Sequence, residues 1–397
     1  MNSTPYKLLL AAALAAAACG EDEAPETPNA TTPRFAISTN VFNADFSNQT
    51  TFIGFTDDLS QGMLSLDDAI EVPGGGALWG LPGAGEYYIT SAETLTVTKF
   101  SFVDGAPTEV GRLGVSGAGV SALFGELMIF DSPTKGYLVA TTDAVALELD
   151  LDKMEIVRSI DMSAMLIPGA PSFLTPPLVA RGNELVGAVY GTNIEQETVS
   201  ETSNIVFFDT STGAIEVVPA PCGGLVYTMA ANNGDIMFAS DPWTAGINAI
   251  DSTRAPEPCL ARLPAGSRTP DPNVVRLNTV IGGPTGGLIP AGNNGLYVRV
   301  LDTSNFPIGM DTTGIQLFGT PGWLTYEIDL ANPSSAQQVQ RGVIAGGIRY
   351  FDVDGVFYET QSAATFTETT LVRTTGADAP AESLVVPGVP FEIVRLR

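Results

Sequence analysis

The sequence predicts an all-β fold, and three observations carry the prediction. Gly and Pro together number 70 in 397 residues, and the apolar residues fall between them in short, often alternating runs that suit strands rather than helices. One five-residue segment recurs seven times: Phe35–Thr39, Glu86–Thr90, Gly136–Ala140, Glu184–Ala188, Asp235–Ala239, Gly295–Arg299 and Gly355–Glu359. Between the central residues Ile37, Tyr88, Leu138, Val186, Met237, Tyr297 and Phe357 the intervals are 51, 50, 48, 51, 60 and 60, which is a repeat period.

Each copy except the first follows a turn signal: Gly83–Glu86, Ser132–Gly136, Arg181–Glu184, Asn232–Asp235, Gly292–Gly295 and Asp352–Gly355. A further apolar strand is expected after each copy, several ending in an aspartate that forms an Asx turn, as in Ala144–Asp150, Asn204–Asp209, Gly246–Asp251 and Trp323–Asp329. Another follows in Met154–Ile160 and Ala214–Val218, so each unit holds about four antiparallel strands. A four-stranded sheet repeated about seven times is economically arranged as a single β-propeller, whose blades hide most sheet edges. Two tandem sandwiches would leave the spacing unexplained. The first repeat lacks an inner strand, and Phe391–Arg397 is expected to supply it and close the ring. The domain is expected to span 35–397.

Residues 1–18 read as a signal segment: Lys7, then the apolar run Leu8–Ala18, too short to span a bilayer, then Cys19. This pattern predicts a lipoprotein acylated on Cys19, with 19–34 as an acidic, proline-containing tether, attached to the outer membrane through the lipid alone. Loss of 1–18 leaves 17 basic against 44 acidic residues, a formal charge of −27. So few scattered cations exclude a nucleic-acid partner and disfavour a peripheral grip on anionic lipid. The chain has no histidine, which removes Ser-His-Asp and Cys-His nucleophiles and imidazole metal sites together. No cofactor or metal motif remains. Phe351–Gly355 opens like a calcium loop but reads better as a hairpin turn. With Cys19 acylated, Cys222 and Cys259 form an even pair in an exported chain and are expected to be bridged.

In a four-stranded blade, the connections between second and third strands share one face with those between blades. The long segments Phe42–Thr50, Thr192–Thr202 and Asp302–Thr320 are expected in the first class, and Met162–Pro177 and Pro264–Pro284 in the second. A ligand site is therefore expected at that rim and the channel mouth. The candidate ligand residues are Trp79, Trp243 and Trp323, the cations Arg181, Arg299 and Arg349, and Phe306 and Met310 in the longest loop. The same acids leave open a hydrolase or lyase that works through paired carboxylates. A structural or adhesive scaffold is the third possibility.

The order Phe35–Thr39, Thr50–Leu59, Met63–Leu66 and Glu86–Ile89 resembles the propeller lipoproteins that accompany TonB-dependent siderophore uptake in Gram-negative bacteria. The resemblance implies an envelope protein that captures a ferric siderophore without enzymatic turnover and passes it on, with a TonB-dependent receptor as partner. Ferric catecholates are anionic, so this acidic chain would need a local Arg cluster to hold one.

Overall fold

Each recurring segment lies in the second strand of an antiparallel sheet or begins one residue before it, and seven such sheets stand around an axis in a computed structural model. It describes residues 32–43, 49–123, 126–290, 295–309, 311–330, 332–339, 350–363, 366–373 and 381–397. The second strands are Phe35–Phe42, Glu86–Ser91, Lys135–Ala140, Glu184–Asn193, Ile236–Ser240, Gly295–Leu301 and Val356–Ser362, in blades 1 to 7. Strand alternation decides what these residues touch, because successive side chains point at opposite neighbours. Ile37 packs with Phe351 and Leu371 of blade 7, whereas Ala36 packs with Leu78 and Tyr87 of blade 2. Tyr88 and Leu138 share a core between blades 2 and 3, and Tyr137 and Val189 one between blades 3 and 4. Val186 meets Phe238 between blades 4 and 5, Met237 meets Val298 between 5 and 6, and Tyr297 packs on Tyr350 between 6 and 7. The apolar cores thus run without a break round the ring, and the all-β propeller expected from the repeat is the observed fold.

The ring closes in blade 1, whose order from the axis outward is Val389–Arg395, Phe35–Phe42, Gln49–Thr56 and Ile70–Pro73. The C-terminal strand pairs antiparallel with the first one from Phe35↔Arg395 to Asn40↔Val389. The inner strand of blade 4 is in two pieces, Ser172–Leu174 and Val179–Arg181, both paired to Glu184–Asn193. Pro176 and Pro177 lie between them and offer no N–H to the ladder.

The expected turn at Asp352–Gly355 is a hairpin with Asp354 and Gly355 both at positive φ, 57° and 78°. The Gly355 N–H donates to the Asp352 carboxylate at 2.8 Å, and among the described residues no acidic cluster suited to a metal occurs. Asp150 and Asp209 form the expected Asx turns, accepting from the N–H groups of Lys153 and Thr212 at 3.0 and 2.9 Å.

Blade 5 departs from the expectation. Gly246–Asp251 is not its third strand but falls in and after helix α1 (Pro242–Ile250), and the third strand is Cys259–Leu263. Asp241 caps α1 by accepting from the Thr244 N–H and hydroxyl, and Pro242 at the first helical position needs no donor. Pro264–Pro284 holds the fourth strand Val275–Arg276 and helix α2 (Leu277–Ile281), so only its end joins two blades. Thr192–Thr202 is largely an extended hairpin, with Thr192 paired to Val199. In blade 6 the long connection folds into helix α3 (Gly314–Gly319), which packs on α1.

Burial pushes the Asp241 carboxyl up to about 6, against an ordinary 3.8, despite its bonds to Thr244. A carboxyl that keeps its proton longer in the folded chain contributes stability below its unfolded value, and that stability is lost as pH rises toward 6. Asp241→Asn keeps an acceptor at the cap. Relative to the unsubstituted protein, the variant is expected to gain about 3 kcal/mol between pH 3.5 and 7.5 in urea unfolding. An unchanged difference would refute a desolvated Asp241.

Cys222 and Cys259 are joined, S–S 1.98 Å, tying the segment before blade 5 to that blade's third strand. Their sequence separation of 37 makes the stabilisation about 3–4 kcal/mol in the chain-entropy description. Cys222→Ser/Cys259→Ser is expected to lower the urea midpoint accordingly, and a melt indifferent to reductant would contradict this.

Candidate ligand cavity

A cavity of about 490 Å³ opens near the axis on the face that carries the second-to-third-strand and blade-to-blade connections, the upper face. It is walled by blades 1 to 4. Phe391 comes from the closing strand, Trp79 from the inner strand Leu78–Gly80 of blade 2, and Phe173 from the inner strand of blade 4. Phe42, Tyr190 and Ile194 stand at the upper ends of second strands or just beyond. Near blade 2 the wall is backbone: a Cβ on Gly76 would sit 2.1 Å from the Thr90 carbonyl oxygen, so only glycine lets the chain pass there. The Gly76 N–H donates to Thr51 Oγ1 at 3.0 Å, and that hydroxyl donates to Asn40 Oδ1 at 2.6 Å.

Glu126 reaches this cavity from the connection between blades 2 and 3, only 6% exposed. The Thr90 hydroxyl donates to its carboxylate. Burial outweighs that bond and raises the Glu126 carboxyl above the ordinary range. Ser38 Oγ and Trp79 Nε1 also belong to residues lining the cavity, and both atoms are buried without a hydrogen-bond partner in the protein. Trp79 and Glu392 additionally line a smaller cavity of about 250 Å³ toward the lower face, beside Asp352, Asp354 and Arg395.

Of the expected ligand residues, Trp79 alone lines the upper cavity among those described. Trp243 is in α1, packed with Val199 and Ile247 and edge-on to Phe318, its Nε1 donating to Thr192 Oγ1 at 3.4 Å. Trp323 is fully buried beside Leu301 and Leu317 and donates to the Leu317 carbonyl at 2.8 Å. These two indoles hold the helical cap of blades 5 and 6 rather than a ligand. Phe306 packs under Gly322, where a Cβ would lie 2.6 Å from its ring. Arg181 sits in a lower-face turn, 5.0 Å over the Phe207 ring and bonded to Glu184 and the Ser267 carbonyl.

Arg299 is fully buried between blades 6 and 7, paired with Glu359 at 2.9 Å and donating to Thr325. The Arg cluster expected at the mouth therefore does not form from Arg181 and Arg299. Cys19, Met310 and Arg349 lie outside the described residues. Among the described residues no Lys or Arg lines the upper cavity. Sequence reasoning missed Ser38, Glu126, Phe173, Tyr190 and Phe391; only Ser38 carried a signal, as a small hydroxyl residue in a repeat position that elsewhere holds Ile, Val, Gly, Phe or Tyr.

No protein-family profile matches the chain, and no curated protein does. Solved structures do. A provisionally named 6-phosphogluconolactonase from Bacteroides uniformis ATCC 8492 superposes with a TM-score of 0.53 at 9% identity, covering 90% of this chain and 98% of that one. Another protein so named, from Bacteroides fragilis NCTC 9343, gives 0.49 at 10% identity over 92% and 99%. A protein of unknown function from Desulfotomaculum acetoxidans DSM 771 gives 0.50 at 10% over 90% and 99%. Likeness at this identity is a likeness of fold. It corrects one expectation: a ring of this kind carries an enzyme's name in the first of these proteins, so the absence of turnover does not follow from the architecture.

Proposed function

We propose that the protein is an envelope-tethered propeller that binds a small organic ligand in its upper cavity. The cavity itself carries the reading: about 490 Å³ lies in the size range of small-molecule sites, and its wall is mainly aromatic and aliphatic with few polar groups. The tether rests on Cys19 and the apolar run before it, which also support an outer-membrane anchor through lipid. A siderophore as ligand, handed to a TonB-dependent receptor, is supported by the sequence resemblance. A chain of formal charge −26 favours an iron chelate without net negative charge over an anionic catecholate.

Titration of the purified protein in detergent with an uncharged ferric hydroxamate and a ferric catecholate, read by dialysis of radioactive iron, tests this. Saturable binding of the hydroxamate, weakened by Trp79→Ala, is the expected result. No saturable binding of either chelate would remove the siderophore reading. A second reading, carboxyl-assisted conversion of the bound molecule, is favoured by Glu126, since a carboxyl whose pKa burial raises holds its proton longer, as general-acid work requires. Mass spectrometry of the recovered ligand reads it in the same experiment, and loss of conversion without loss of binding in Glu126→Gln is its signature.

A further inference from the structure

We infer that the upper cavity takes an organic cation, a protonated amine on an apolar body, and that Glu126 is the counter-charge that selects it. The inference rests on the ligand-binding role proposed for the same cavity and names the class of ligand. Two acids line the cavity, Glu126 and Glu392, and among the described residues no Lys or Arg does. Glu126 keeps a small exposed fraction, and the cavity it lines is where that surface opens. Its Oε1 accepts from the Thr90 hydroxyl. Among the described residues no other side chain bonds to Oε2, and this oxygen is not one of the partnerless polar atoms closed to solvent. A ligand N–H in the cavity can therefore meet Oε2. Ser38 Oγ and Trp79 Nε1, which are closed to solvent, take no part.

An ionised carboxylate in an apolar wall costs free energy unless a cation or several hydrogen bonds compensate it. The protein supplies one hydroxyl and no cation, so burial raises the Glu126 carboxyl above its ordinary range. An ammonium brings the missing charge to a place where little water competes, and a charge-assisted hydrogen bond is strong there. Glu392 adds to the negative potential of the same wall. Both acids disfavour a carboxylate or phosphate ligand. The aromatic side chains of Trp79, Phe173, Tyr190 and Phe391 pack an apolar body, and aromatic rings also attract cations. A metal ion is the poorer occupant, since among the described residues no group of three or more His, Cys, Asp or Glu is placed to hold one.

The test compares three probes of one shape: 2-naphthylmethylamine, a cation at neutral pH, 2-naphthylmethanol, which is neutral, and the anion 2-naphthoate. Binding to the full-length protein in nonionic detergent is measured by equilibrium dialysis against protein-free micelles. Salt of about 0.15 M screens the acidic surface at large. The amine is expected to bind about tenfold or more tightly than the alcohol, the order of one hydrogen bond to a desolvated charge, and naphthoate weakest. Glu126→Gln is expected to weaken the amine about tenfold while leaving the alcohol within about twofold, so the alcohol reports that the cavity is intact. Glu126→Asp, which keeps the charge on a shorter arm, is expected to fall between the two. Equal affinity for amine and alcohol, or a preference for the amine undiminished in both variants, would overturn the inference and leave the cavity a ligand site. Failure of all three probes to bind would remove the cavity reading as well.

Discussion

A chain ending at Pro387 is expected to lose its cooperative thermal transition and to expose apolar surface to a hydrophobic dye. The strand removed, Val389–Arg395, is the innermost of blade 1, and with Leu396 it places Ile393, Val394 and Leu396 in the cores shared with blades 7 and 2. At about 1.5–3 kcal/mol for each large apolar side chain buried, the loss comes to roughly 5–9 kcal/mol. That rivals the whole stability of an ordinary domain, about 5–15 kcal/mol. The first strand would also be left with an unpaired edge, a template for association. Adding a peptide of residues 388–397 in trans is expected to restore part of the transition. A truncated chain that melts within a few degrees of the intact one would show that the ring does not depend on this closure.

Glu359→Gln is expected to destabilise the protein by about 3–5 kcal/mol in urea unfolding, because it leaves the Arg299 guanidinium charged in a site fully closed to solvent. Gln361 and Thr325 also bond to this pair, but neither carries the opposing charge. The paired change Arg299→Met/Glu359→Leu is expected to recover most of the loss, since two apolar side chains remove both the desolvation cost and the attraction that offsets it. If Glu359→Gln costs less than about 1 kcal/mol, the pair reaches water and is not the buried contact described.

The repeat made the architecture legible because strand alternation and a period near fifty residues are properties of the backbone plan, and they survive in every blade. Arg299 and Glu359 occupy the fifth position of successive copies, sixty residues apart, where other blades have Thr39, Thr90, Ala140, Ala188 and Ala239. Arg299 faces blade 7 and Glu359 faces blade 6, opposite ways round the ring from one nominal repeat position, so the spacing alone did not foretell the pair, and a lone cation in an apolar strand was taken for a ligand group. Helix α1 was hidden by its ending, since Gly246–Asp251 finishes in an aspartate like the third strands of blades 3, 4 and 6. The capping residue Asp241, with Pro242 after it and Ile247 and Ile250 three apart, was the competing signal. The cavity was the least legible part. Its walls come from strand ends in four blades, and which ends converge depends on the closure of the ring rather than on any local pattern.

The position of the first strand has one more consequence. Phe35–Phe42 rises from the lower face to the upper, and Arg34, at its foot, lies beside Asp354 in a lower-face turn. Thr32–Arg34, where the described residues begin, therefore lie on the underside, away from the cavity mouth. The foot of that strand and the mouth of the cavity thus stand at opposite ends of the ring, so a ligand enters from the side that the described N-terminal residues leave clear.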